Sequence, residues 1–137
     1  MIIYEEILRE FQKQKVKYIL VGGIAFNLLG GERATHDMDV IVEMSDDNLA
    51  KAVSILKREG YKIKQPVDPM EIANIKTRND WIYNKNMKAF NFYKKDEMKK
   101  VDIIIDSPVQ YQKAEKDKVK IKSGILNIPA GPWTSLM

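Results

Sequence analysis

Hydrophobic and polar residues alternate along the first part of the chain in patterns that predict two helices and a strand. Apolar residues recur at helical spacing within residues 2 to 14, which indicates an amphipathic helix with one buried face. Residues 18 to 21 form a short β-rich run that stops at Gly22 and Gly23. Residues 24 to 29 then favour a compact helix, so the glycine pair lies at a strand-to-helix turn.

The sequence DMDVIV, which begins at residue 37, alternates with the period of a β-strand. Side chains two residues apart share one face of a strand. Asp37 and Asp39 therefore lie on one face, and Met38, Val40 and Val42 lie on the other. The pattern predicts two carboxylates that project from the same side of a sheet.

The remaining pattern continues as an alternation of helices and strands. Ser45 is a typical helix N-cap, with Asp46 and Asp47 in the first turn, and Gly60 ends that helix. Further strands are predicted near residues 61–64, 90–93 and 101–105, a short helical pattern at 70–75, and a hairpin over 119–128 that turns at Ser123-Gly124. We therefore expect one α/β domain over residues 1–137, in which a C-terminal helical part is short or missing.

Composition narrows the chemistry that such a domain can perform. The 137 residues carry 23 Lys and Arg against 19 Asp and Glu, a net charge of +4, which suits anionic ligands without requiring them. There is no Cys and one His, which excludes a disulfide framework, a zinc–thiolate site, an iron–sulfur cluster and a cysteine nucleophile. The N-terminal sequence lacks the features of a signal peptide and no long apolar run is present, so we expect a cytoplasmic protein without a membrane partner.

Three aspartates and a glycine pair form a combination suited to phosphoryl chemistry. Asp37 and Asp39 can bind Mg²⁺ through oxygen, and Asp102, which opens the predicted strand VDIII, can reach the same place from a neighbouring strand. Asp102 is then a shared metal ligand or a general base. Gly22 and Gly23 would let backbone N–H groups approach the phosphates of a nucleotide.

Several of these residues have a second, structural interpretation. A glycine pair between a strand and a helix is used for backbone reasons alone in many turns. Arg33 can clamp a phosphate or pair with a surface carboxylate, and Thr35 can orient a ligand or cap the turn. The aromatic residues around Trp81 and Phe90 can stack a base or fill a core, and the lysines after residue 93 favour solvated faces over an RNA-binding patch.

The segment VGGIAFNLLGGERATHDMDVIV, followed by VDIIID, resembles the nucleotidyltransferase superfamily with its polymerase-β-like fold, most closely its small stand-alone prokaryotic members. The resemblance implies a mixed β-sheet flanked by helices. It implies Mg²⁺, with Mn²⁺ as a substitute, at Asp37, Asp39 and Asp102, and a nucleoside triphosphate at Gly22 and Gly23. Many members have Gly-Ser in place of this Gly-Gly, and relatives continue beyond PWTSLM into a longer helix.

The predicted function is Mg²⁺-dependent transfer of a nucleoside monophosphate from a nucleoside triphosphate to a hydroxyl group. The acceptor is not identified by the sequence, and RNA, a protein and a small molecule all stay open. One alternative is a non-catalytic nucleotide-binding or toxin–antitoxin-type subunit that acts with a partner chain or as a homo-oligomer. Another is a basic RNA-binding module, which explains the lysines but not the three aspartates.

Overall fold

A seven-stranded mixed sheet forms the centre of the protein. The computed structural model describes residues 4–22, 37–95, 99–105 and 110–131. Its strands are β1 (Tyr18–Val21), β2 (Asp37–Val42), β3 (Lys62–Ile63), β4 (Ala89–Lys94), β5 (Lys99–Ile104), β6 (Val119–Ser123) and β7 (Leu126–Ala130), in the order β3-β4-β5-β2-β1-β7-β6. The pairs β2–β5 and β1–β7 are parallel and the others antiparallel, which confirms the mixed sheet.

Helices cover both faces of this sheet in the described parts of the chain. They are α1 (Glu5–Lys13), α2 (Asp46–Arg58), α3 (Ile75–Asn79) and α4 (Tyr111–Lys116), with a 3₁₀ turn at Pro69–Ala73 and a π-helical turn at Asp80–Asn84. The larger core lies between one sheet face and helices α1 and α2. Met38, Val40 and Val42 are buried in it, as the alternation in β2 predicted.

The opposite face of the sheet carries a second, smaller core. Ile19, Val21 and Ile41 pack there with Ala114 of α4. Asp39 lies two residues before Ile41 on the same strand, so the carboxylates occupy the part of this face next to the small cluster. Helix α4, which covers this face, was not predicted from the sequence.

Helix α2 begins and ends where its capping residues predict. Ser45 Oγ accepts a hydrogen bond from the backbone N–H of Asn48 at 3.3 Å. The buried Asn48 side chain accepts from Lys17 N at 2.8 Å and donates to Lys17 O at 3.0 Å and to Glu43 O at 2.9 Å. These bonds tie the first turn of α2 to the start of β1.

The region after β3 differs from its prediction, because the helical pattern at residues 70–75 is divided. A 3₁₀ turn covers Pro69–Ala73, and α3 starts only after Asn74, whose side chain accepts from Lys76 N at 2.9 Å and Thr77 N at 3.2 Å. Asn74 therefore caps a new helix. The predicted helix at residues 24–29 and the segment PWTSLM lie outside the described residues.

Tyr4, at the N-terminus of α1, connects that helix to the start of β5. Its hydroxyl donates to Lys100 O and accepts from Lys100 N, both at 2.9 Å, and its side chain is buried. Burial raises the pKa of Tyr4 to about 12, so the hydroxyl keeps its proton.

Tyr4→Phe is expected to lower the free energy of unfolding by about 1–2 kcal/mol, because two backbone groups of Lys100 lose a partner. Urea denaturation measures the change. Tyr83→Phe is the matched control, since Tyr83 is 76% exposed and its substitution should not alter the midpoint. Equal midpoints for both variants would contradict the anchoring role of Tyr4.

Candidate active site

The strand register places four residues in one row across the centre of the sheet. In β2, Asp39 pairs with Val21 of β1 on one side and with Asp102 of β5 on the other. Asp102 in turn pairs with Asn91 of β4. Two carboxylates distant in sequence therefore stand side by side on neighbouring parallel strands, as the sequence analysis expected for Asp39 and Asp102.

The two carboxyl groups are close enough to share a proton. Burial raises the pKa of Asp39 to about 7, and the charge of Asp102, a hydrogen bond to Asp102 and the charge of Asp37 add to the shift. Such a shift arises because two ionised carboxylates repel each other and a half-buried site solvates them poorly. A second negative charge on the pair is therefore unfavourable unless a cation offsets it.

Gly22 follows Val21 directly after β1, next to this row, and has a conformation that favours glycine. Its φ is +78°, and a Cβ atom added there would lie 2.7 Å from Asp39 Oδ2. Any other side chain would collide with the carboxylate. The absence of a side chain lets the backbone at Gly22 lie close to Asp39 Oδ2, and the predicted approach of its N–H group to a phosphate stays a prediction.

The structure gives less information on the other predicted site residues. Asp37 lies at the exposed start of β2 and adds to the shift of Asp39 through its charge. Within residues 4–22, 37–95, 99–105 and 110–131, no three His, Cys, Asp or Glu side chains are grouped so as to hold a metal ion. Gly23, Arg33 and Thr35 lie outside the described residues, so their predicted roles stay predictions.

Two amide residues were not predicted from the sequence: Asn91 contacts the carboxylate pair, and Gln65 contacts Asn91. Asn91 Nδ2 donates to Asp102 Oδ1 at 2.7 Å, and Gln65 Nε2 donates to Asn91 Oδ1 at 2.6 Å. The sequence held a signal for Asn91, because an Asn between two phenylalanines is unusual in a strand and lies on the face opposite to them. Gln65 follows β3 and carries no such signal.

The donor set at Asp39 and Asp102 fits a divalent cation that is shared with a phosphate. Mg²⁺ typically takes one or two carboxylates and completes its shell with phosphate oxygens and water. A cation would also relieve the repulsion between the two carboxylates.

A cavity of about 550 Å³ lies at the other ends of β2 and β5 and does not include the carboxylate pair. Its lining includes Glu43 and Ser45, which follow β2, and Ile105, which follows β5. Arg78, also in the lining, is bonded to Asp46 at 3.0 Å and to two backbone carbonyls.

The aromatic and basic residues have mainly structural partners where the structure describes them. Trp81, Phe90 and Phe92 are buried in the larger core, which favours the core interpretation over base stacking. Lys118 pairs with Glu115 at 2.8 Å, a contact typical of a solvated surface. Across these described ranges, every helix is too short or too polar to span a membrane.

Comparisons with known proteins identify the fold and the family of this chain. The family model described as aminoglycoside-2''-adenylyltransferase matches residues 4–123. A crystal structure of a Thermotoga maritima protein assigned as a nucleotidyltransferase is similar, with a TM-score of 0.63 and 14% identity over 98% of this chain and 78% of that one. A search of curated proteins found no match. The chain has the nucleotidyltransferase fold and belongs to the aminoglycoside-2''-adenylyltransferase family of nucleotidyltransferases.

Proposed function

We propose that the protein is a Mg²⁺-dependent nucleotidyltransferase that moves the nucleoside monophosphate of a nucleoside triphosphate to a hydroxyl acceptor. The observation that carries the proposal is the register that sets Asp39 beside Asp102, where Gly22 lets the end of β1 lie close to Asp39. ATP is the first donor to test, and an aminoglycoside hydroxyl the first acceptor, because the family's description names adenylyl transfer to that class.

The three aspartates would have separate roles in nucleotidyl transfer. Asp39 and Asp102 would hold the cation, with Asp37 adding negative charge at the start of β2. When bound, Mg²⁺ supplies positive charge that offsets the charge developing on the triphosphate. The acceptor oxygen forms a bond to the α-phosphorus, the bond from that phosphorus to the bridging oxygen breaks, and pyrophosphate leaves with the bond electrons. Asp102 is the group proposed to take the proton of the attacking hydroxyl.

Calorimetric titration with each nucleoside triphosphate, with and without Mg²⁺ or Mn²⁺, tests the donor without any acceptor. We expect cation-dependent binding of ATP to the unmodified protein. Asp102→Asn should weaken that binding at least about tenfold, in the range found when groups at metal sites are altered. Asp117→Asn removes one exposed carboxylate outside this pair and serves as the matched control.

A second step adds kanamycin or another aminoglycoside and follows adenylylated product by mass spectrometry. Product with the unmodified protein and none with Asp102→Asn would support the full proposal. Binding of ATP without transfer to any acceptor would instead favour a non-catalytic nucleotide-binding subunit. If the protein binds none of the nucleoside triphosphates with either cation present, the proposal is overturned.

A further inference from the structure

A chain of side-chain amides leads from β3 across β4 to Asp102. Gln65 follows β3, Asn91 lies in the middle of β4, and Asp102 faces Asn91 from β5. The links are short: 2.6 Å from Gln65 Nε2 to Asn91 Oδ1 and 2.7 Å from Asn91 Nδ2 to Asp102 Oδ1. Asp102 also shares a hydrogen bond with Asp39, so the amide chain ends on the carboxylate pair.

The direction of this chain is fixed by backbone groups that cannot reverse their roles. Asn91 N–H can only donate, and it donates to Gln65 Oε1 at 3.2 Å. Ala89 C=O can only accept, and it accepts from Gln65 Nε2 at 3.4 Å. Gln65 therefore has one orientation, with its NH₂ group toward Asn91.

The orientation of Gln65 fixes that of Asn91 in turn. Since Gln65 presents an NH₂ group, Asn91 must turn its carbonyl oxygen toward Gln65 and its own NH₂ group toward Asp102. A carboxylate oxygen then always meets a donor at this point. The local backbone thus sets the polarity of a contact that lies two side chains away.

We propose that Gln65 and Asn91 are positioning residues for Asp102, a directional pair of amides that holds its carboxylate in place for cation binding and proton transfer. This inference rests on the proposed function, because it assigns the amides to that same site. Neither residue needs to touch the nucleotide. Their effect reaches the reaction through the position of Asp102.

Gln65→Glu is the most informative variant, because it preserves shape and reverses the polarity of the chain. The new carboxylate still accepts from Asn91 N–H but cannot donate to Asn91 Oδ1 or Ala89 O. Asn91 must then turn its NH₂ group toward position 65 and its oxygen toward Asp102. We expect Mn²⁺ affinity and kcat each to fall about 10–100-fold, as for residues that orient metal ligands, with the KM for ATP nearly unchanged.

Gln65→Ala and Gln112→Glu distinguish orientation from packing and from charge. Gln65→Ala deletes more contacts, so a packing role predicts that it causes more damage than Gln65→Glu, whereas orientation predicts less. Gln112→Glu adds the same charge at an exposed position on α4. An added negative charge alone would strengthen Mn²⁺ binding, which is the opposite of the expected effect at Gln65.

Mn²⁺ binding is measured by electron paramagnetic resonance, with and without ATP, and kcat by adenylyl transfer. Weaker binding in Gln65→Glu than in both other variants supports the inference. Unchanged or tighter binding in Gln65→Glu overturns it and leaves the proposed function standing. If the unmodified protein does not bind Mn²⁺, either alone or in the presence of ATP, the proposed function fails and this inference fails with it.

A nuclear magnetic resonance experiment keeps the inference testable if Gln65→Glu does not fold. The side-chain amide protons of Asn91 should resonate downfield and exchange slowly in the unmodified protein. One of these signals should move upfield in Asp102→Ala, which removes the acceptor. An Asn91 signal that is identical in the two proteins would overturn the positioning role.

Discussion

Asp39→Asn is expected to lower nucleotidyl transfer by orders of magnitude and, at the same time, to raise the thermal stability of the protein. The loss of activity follows from the proposed role of Asp39 as a cation ligand. A cation contributes several kcal/mol of charge stabilisation, and each 1.4 kcal/mol or so is tenfold in rate, so transfer should fall roughly 1,000-fold. Adenylylated product measured by mass spectrometry reports this change.

The gain in stability follows from the cost of ionising a half-buried Asp39, to which repulsion by Asp102 adds. The pKa of Asp39 is about 7, raised mainly by burial, whereas an aspartate in an unfolded chain has a pKa of about 3.9. The folded protein therefore binds this proton more tightly, and its stability falls as the pH rises from about 4 towards neutrality. The asparagine side chain of the variant carries no charge and offers Asp102 a donor, so the penalty disappears at high pH.

Thermal unfolding at pH 8 in EDTA measures the stability of Asp39→Asn. We expect the midpoint to rise by several degrees, since about 1 kcal/mol corresponds to roughly 3–5 °C for a domain of this size. Asp47→Asn is the matched control, because Asp47 is exposed in the first turn of α2 and pairs with Lys51 at 3.3 Å. A lower midpoint for Asp39→Asn than for the unmodified protein would show that the carboxylate pair stabilises the fold.

Elements whose signal is local were predictable from the sequence. The alternation in β2 placed Asp39 on the face opposite Met38 and Val40 because a strand has a strict period of two. Helix α2 was predictable at both ends, since Ser45 supplies the cap and Gly60, with φ +90°, suits the left-handed turn that follows. In both cases neighbouring residues determine the outcome.

Elements that depend on distant contacts were not predictable. Helix α4 has the sequence YQKAEK, which has no continuous apolar stripe, and Ala114 is its one residue in the buried set of the small core. Arg78 is charged, and charged side chains are rarely buried. It is 3% exposed because Asp46, Ile72 and Met44 supply its hydrogen-bond acceptors from other elements.

The candidate site also has a part that was predictable from local sequence and a part that depends on distant contacts. The sequence identified Asp39 and Asp102 as carboxylates on strands, but their adjacency depends on the parallel pairing of β2 with β5, which was expected only as a possible convergence. Gln65 reaches the site through β3, a strand of two residues. A polar residue after such a short strand has no periodicity, so its partner is visible only in the folded protein.

Gly22→Ala is expected to disable the site by moving Asp39 rather than by unfolding the protein. The new Cβ would lie 2.7 Å from Asp39 Oδ2, a distance that real Cβ atoms do not show, so the carboxylate must shift away. That shift disturbs the pairing with Asp102, on which the proposed cation site depends. We expect transfer to fall about 100-fold, because displacement of a reacting group by about 1 Å can cost that much.

Gly124→Ala separates the site effect from the backbone effect. Gly124 has a φ of +58°, also left-handed, yet a Cβ there meets nothing within 4 Å. Each alanine should cost about 1–2 kcal/mol of stability for its left-handed backbone, measured by urea denaturation. Only Gly22→Ala should also weaken cation-dependent ATP binding in calorimetry. Equal loss of binding in both variants would mean that backbone strain, and not contact with Asp39, explains why this position holds glycine.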